Sequence, residues 1–207
     1  MSRRAGRAGA SHLTTVFACL VAALITIDAD YAPPEIQNVP IDRLIANFES
    51  HASRPQNAAT LLNLARAHGM AFARGGADVP VLKRHPQLGV WFGPEAANVP
   101  FAPVAPGVDV RTAAARAHLA KAIETYDAVL RLDPNNLIAR IGRAWCVEQS
   151  GRTSDAIAEY RAVIDAAWQI EKEMRHASLG FRPVVAEAGR YLIPLLDPVE
   201  DRDEIAA

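Results

Sequence analysis

Hydrophobic residues recur at the spacing of an α-helix through most of the chain beyond residue 40. In the first such stretch Ile41, Leu44, Ile45 and Phe48 fall on one side of a helix, and polar residues fill the other side. No stretch alternates strictly between apolar and polar residues, so we predict an all-α fold. The predicted helices cover residues 41–53, 58–74, 110–132, 137–149, 153–174 and 182–196.

Residues suited to helix capping stand at several of these boundaries. Asn57 and Asn136 precede the second and fourth helices, and either Thr153 or Ser154 precedes the fifth. Gly151 follows the fourth helix, where a residue without a side chain can turn the backbone out of the helix.

Residues 76–109 interrupt the helical pattern. Prolines recur throughout the segment, so no long helix fits there. The segment is nevertheless rich in apolar residues and is unlike a solvated linker. Trp91 and Phe92 could fasten it to the helices of its own domain. Alternatively, the stretch from Leu88 to Phe92 occupies or lines a groove in which a partner would lie.

The chain resembles itself after a shift of 34 residues. Self-similarity at a period of this size is typical of stacked helical repeats. Small, aromatic and branched positions all match across the two copies. The matched pairs are Ala122 with Ala156, Ile123 with Ile157, Tyr126 with Tyr160, Ala128 with Ala162, Val129 with Val163 and Leu130 with Ile164.

This repeat resembles the tetratricopeptide repeat, in which each unit is a helix–turn–helix of about 34 residues. Ala144, Gly151, Ala156 and Tyr160 match its small, turn, small and aromatic positions. Arg140, Arg143 and Val147 depart from its pattern. The resemblance implies a short right-handed superhelix of antiparallel helix pairs, an α-solenoid with residues 76–109 as a long irregular insertion. In such a stack Tyr126 and Tyr160 would fill equivalent places in successive layers.

A second unit is split by the insertion. Pro55, Gln56 and Asn57 parallel Pro134, Asn135 and Asn136, so the first helix of this unit begins at Ala58. Its second helix follows only at residues 122–132. The two halves carry His68 and His118, and we expect these two histidines to face each other.

The same resemblance implies a concave groove lined by the first helix of each unit. The basic clamp that the family uses for terminal carboxylates is not matched, so we predict an apolar or mixed contact centred on Trp145. The alternative is that Trp145 is a core residue. The predicted partner-binding residues are Leu62, Arg66, Met70, Ile138, Ile141, Trp145, Glu148 and Gln149.

The first 29 residues have the layout of a leader. Arg3, Arg4 and Arg7 precede an almost wholly apolar run over residues 13–27. This layout predicts a secretory signal peptide, or an N-terminal membrane anchor if the run is not cleaved. A buried N-terminal helix is the alternative. We therefore expect the domain to be secreted or periplasmic, or anchored to the inner membrane from outside.

The remaining boundaries follow from composition. Residues 30–40 contain three prolines and are predicted to be a linker. Residues 41–196 form the repeat domain, and residues 197–207 form an acidic tail. The chain has 207 residues, 50% of them hydrophobic, and a net charge of -1. This balance is typical of a globular domain and gives no basic stripe for nucleic acid.

Motifs for catalysis or metal binding are missing from the sequence. It has no glycine-rich phosphate loop, no nucleophile elbow and no zinc-ligand spacing, so we predict no catalytic, cofactor or metal residues. Cys146, beyond the leader, is predicted to be a buried thiol. We expect a non-catalytic scaffold that binds a protein or peptide. Two alternatives are an enzyme, with residues 76–109 as a lid over His68, His85 and His118, and a groove filled by the chain's own insertion.

Overall fold

The structure is a computed structural model that describes residues 36–52, 57–75, 78–82, 104–173, 183–198, 200–201 and 205. The predicted leader and most of the predicted insertion, including His85, Trp91 and Phe92, lie outside these residues. The described part is mostly helical, which confirms the all-α prediction in its coarse form. Its elements are β1 (Ile36–Pro40), α1 (Ile41–Ala52), α2 (Ala58–Arg74), β2 (Asp78–Leu82), α3 (Ala113–Leu132), α4 (Leu137–Gln149), α5 (Thr153–Glu171), α6 (Val184–Leu192) and a 3-10 turn (Ile193–Leu195).

Side-chain caps hold several of the helix ends. The Asn57 side chain accepts a hydrogen bond from the backbone N–H of Ala59 (2.8 Å), and that of Asn136 accepts from Ala139 (2.9 Å). Both predicted caps are therefore confirmed. The prediction of a threonine or serine cap for α5 was wrong. Arg152 stands at that position, and its side chain makes no capping hydrogen bond.

A two-stranded antiparallel sheet is the main departure from the predicted fold. β1 belongs to the predicted linker and β2 to the start of the predicted insertion. The register pairs Ile36 with Leu82 at one end and Pro40 with Asp78 at the other. Each strand of a two-stranded ribbon has a free edge, where proline is tolerated. The ribbon lies against the core, because Val79 is completely buried.

Each helix packs against the helix that follows it in the chain, from α1 to α6. In addition α2 touches α4, and α4 touches α6, so these alternate helices lie side by side. Consecutive helices also approach closely where their side chains are small, and Ala144 of α4 and Ala156 of α5 are both fully buried. The buried apolar side chains of the described residues form one core.

Two tyrosines reach from one helix towards the next. Tyr126 of α3 is fully buried, and its ring lies against Gly142 of α4. Tyr160 of α5 is also fully buried, and its ring stacks on Tyr191 of α6 with centroids 5.8 Å apart. Both tyrosines therefore fill the space between the second helix of one hairpin and the helix that follows.

The helices that receive these tyrosines share a short sequence pattern. Residues 139–143 of α4 and 186–190 of α6 both read alanine, two variable residues, glycine, arginine. The pattern places Gly142 and Gly189 at the same step from the helix start. α6 therefore shares this five-residue pattern with α4.

Candidate functional site

Three of the predicted groove residues lie in the core. Met70 on α2 and Ile141 on α4 are completely buried, and Trp145 is 1% exposed. The ring of Trp145 meets that of Phe72 edge to face, with centroids 6.0 Å apart. Because α2 and α4 touch, these large side chains fill the space between them. The expectation that Met70, Ile141 and Trp145 line an open groove is therefore corrected: their side chains are interior.

The other five predicted groove residues remain partly exposed. Leu62 and Arg66 lie on α2, and Ile138, Glu148 and Gln149 lie on α4. Together they place apolar, basic and acidic groups along the two helices. We call these five residues the groove rim.

Glu148 is fixed within this rim by hydrogen bonds to both of its oxygens. The hydroxyl of Tyr160 donates to Oε2 (2.8 Å), and Nε2 of Gln149 donates to Oε1 (3.2 Å). Burial raises the pKa of Glu148, although the Tyr160 hydrogen bond opposes the shift. The rim therefore contains one carboxylate held in place by a tyrosine of the next helix.

The predicted pairing of His68 and His118 is confirmed. Their Nδ1 atoms are 3.1 Å apart, and their ring centroids are 5.3 Å apart. At that distance one Nδ1–H donates to the other Nδ1. His68 is 5% exposed. Its pKa is lowered to about 4, chiefly by burial and also by the charges of His118 and Lys121, while Glu124 opposes the shift.

A cavity of about 470 Å³ lies beside this pair, and His118 is part of its wall. Asp42 of α1 and Asp109, which precedes α3, also line it. Within the described residues, no three histidine, cysteine or carboxylate side chains are grouped closely enough to hold a metal ion. The pair therefore joins α2 to α3 as two imidazoles in hydrogen-bond contact.

A charge cluster that the sequence analysis missed joins three helices. Nε of Arg143 on α4 donates to Asp127 on α3 (2.6 Å), and its Nη1 donates to Glu159 on α5. The arginine side chain is 25% exposed. Burial alone would lower its pKa, but hydrogen bonds and charges from the two carboxylates raise it. This cluster lines a cavity of about 420 Å³.

The sequence did hold a signal for this cluster. Asp127 and Glu159 lie 16 residues before and after Arg143, which places them on the two neighbouring helices. In the sequence alone Arg143 stands out only as a departure from the tetratricopeptide pattern. The second departure, Arg140, closes the preceding turn, since its guanidinium donates twice to the carbonyl of Pro134 (3.1 and 2.8 Å).

Across the residues that the structure describes, no helix is both long enough and apolar enough to cross a membrane. The predicted anchor falls outside those residues. Comparisons of this chain with protein-family models, with curated proteins and with solved structures find no match.

Proposed function

We propose that this chain is a non-catalytic helical-repeat scaffold that binds a segment of another protein. The observation that carries the proposal is the side-by-side contact of α2, α4 and α6. In a stack of helical hairpins, the first helices of successive units form one continuous face, and such faces bind extended or helical segments. The proposed arrangement is a short right-handed superhelix of the tetratricopeptide type.

The buried tyrosines support this arrangement. Tyr126 and Tyr160 both extend from a second helix towards the following first helix, where Tyr126 lies against Gly142 and Tyr160 stacks on Tyr191. The shared pattern of residues 139–143 and 186–190 supports the assignment of α6 as a further first helix. Three first helices then share the proposed binding face.

The groove rim is the part of that face that a partner can touch. Leu62 and Ile138 offer apolar contact, while Arg66 and Glu148 offer opposite charges. A partner segment with one apolar side and charges of both signs fits this surface. Burial lowers the pKa of Arg66, although the charge of Tyr126 opposes the shift.

The leader predicted from residues 1–29 supports export, so we propose that the partner is a protein of the cell envelope. Cleavage or retention of the leader is tested by fractionating cells and sequencing the N-terminus of the recovered protein. Recovery of the chain only from the cytoplasm, with an intact leader, contradicts this part of the proposal.

The binding face is tested with a double substitution, Leu62→Ser and Ile138→Ser, and capture from envelope extracts. A matched control is Leu132→Ser, since Leu132 is 49% exposed on α3, away from the face. We expect the double variant to lose the captured partner while it keeps its helical content, and the control to retain the partner. Equal capture by all three proteins overturns the proposal.

A further inference from the structure

A second apolar surface lies between α5 and α6. It is a groove of about 550 Å³, with Ile164, Val185 and Leu192 among the residues that line it. Trp168 and Ile193 also line it and are 54% and 48% exposed. Large apolar side chains exposed to this degree in one groove mark an interaction surface rather than ordinary surface scatter. We call this surface the α5–α6 groove.

Two residues near the C-terminus of the chain, Asp201 and Ile205, contact this groove. Asp197 caps a new helical turn, since its Oδ1 accepts from the backbone N–H of Glu200 (3.1 Å). The N–H groups of Asp201 and Ile205 then donate to the carbonyls four residues earlier (2.9 and 3.0 Å). The described residues of the predicted acidic tail therefore make helix-like turns. Pro198 occupies the first helical position, where proline is favoured.

Two side chains of this turn reach the groove. The carboxylate of Asp201 lies 3.5 Å from the guanidinium of Arg161 on α5. Ile205, four residues later, contributes to the wall of the groove. An acidic residue followed by a branched apolar residue at the next turn is thus complementary to the groove. Trp168 lies seven residues beyond Arg161 on α5, about 10 Å along the helix, and stays exposed.

We propose that the α5–α6 groove binds an amphipathic helix of another protein. That helix carries an acidic residue for Arg161, a branched apolar residue one turn later, and a further apolar residue that covers Trp168 and Ile193. The position is the one that a second helix would take after α6, by analogy with α5 after α4. This proposal does not depend on the groove rim, because no rim residue lines the α5–α6 groove.

The test uses the full chain and a fluorescein-labelled, alanine-rich peptide of about 18 residues, long enough to be helical. The peptide carries aspartate, then isoleucine four positions later, then leucine four positions after that. We expect saturable binding by fluorescence anisotropy. Trp168→Ala should weaken it at least about tenfold, as expected for a central aromatic contact.

Ile170→Ala is the matched control. Ile170 lies on the same helix and is 55% exposed, but it does not line the groove. We expect its variant to bind the peptide as the parent does, and a peptide with lysine in place of aspartate to bind more weakly. Equal weakening by Trp168→Ala and Ile170→Ala overturns the proposal.

Two further measurements test for competition by the chain's own C-terminal residues and for self-association. The chain's own turn competes for the site, so Ile205→Ser should bind the peptide at least as tightly as the parent. Absence of peptide binding to both proteins overturns the proposal. Sedimentation velocity is run in parallel. A dimer of this chain that disappears in Trp168→Ala would make a second copy the occupant, which also overturns it.

Discussion

The contact between Tyr126 and Gly142 leads to the sharpest prediction about stability. A Cβ atom at position 142 would lie 2.4 Å from both Cζ and Oη of Tyr126 and 2.8 Å from Cε1. Ordinary contact between carbon atoms begins near 3.5 Å, so the overlap is about 1 Å. Gly142→Ala therefore requires the ring or one of the two helices to move.

The net effect follows from two opposing contributions. Alanine is better than glycine in a helix interior by about 1 kcal/mol. Overpacking a filled core costs about 1–3 kcal/mol. Tyr126 is fully buried, and the overlap falls on two atoms of a rigid ring, so we take the upper end of that range. We expect Gly142→Ala to lower the free energy of unfolding by about 2 kcal/mol.

Gly189 supplies a matched control at the equivalent position of α6. A Cβ atom there would have no other atom within 4 Å. Gly189→Ala should therefore keep the helix-propensity gain and raise the free energy of unfolding by up to about 1 kcal/mol. Urea unfolding followed by far-UV circular dichroism measures both variants. If Gly142→Ala proves as stable as the parent, the overlap argument fails; a loss of stability in Gly189→Ala would undermine the propensity argument.

The remaining predictions concern charge and core packing. His68 has a folded-state pKa of about 4, below its unfolded value near 6.5, so its stabilisation is present above pH 6.5 and declines as the pH falls towards 4. The free energy of unfolding should fall by about 3 kcal/mol over this range. Urea titrations of the parent and of His68→Leu should therefore differ in their pH dependence. Parallel curves for the two proteins would refute this prediction. Arg143→Met leaves Asp127 and Glu159 without their shared partner. It should lower the free energy of unfolding by about 1–2 kcal/mol in low salt and by less in high salt. An equal loss at both salt concentrations would contradict this prediction. Trp145→Ala should lower the free energy of unfolding by about 3–5 kcal/mol, measured by calorimetry or denaturation, and should leave partner capture unchanged, because the side chain is 1% exposed. If a folded Trp145→Ala variant loses the partner, Trp145 belongs to the binding face.

The helices could be predicted because their apolar spacing is strong and their ends carry local signals. Asn57 and Asn136 act within two or three residues of themselves, so their sequence context is sufficient. The meeting of His68 and His118 could be predicted because the proposed split unit pairs the two helices that carry them, and α2 does pack against α3. In each case the prediction needed only local sequence or the pairing of two helices.

Other features depend on distances that the sequence does not encode locally. Trp145 is interior because α2 and α4 approach closely enough for Phe72 to meet its ring. An apolar aromatic at that position suits either a core or a groove. Trp168 has the periodicity of the core residues of α5, yet it is 54% exposed and lines the α5–α6 groove. The sheet was missed because its two short strands are separated by two helices.

The β1–β2 ribbon has a mechanical consequence for any tether on the N-terminal side. Ile36 and Leu82 form its outer end, and Pro40 and Asp78 form the end next to the helices. A force that pulls Ile36 away from Leu82 therefore breaks the hydrogen bonds between the strands one residue pair at a time rather than all at once. The two strands would separate at low force, and the released length of β1 would extend before any force acted on α1.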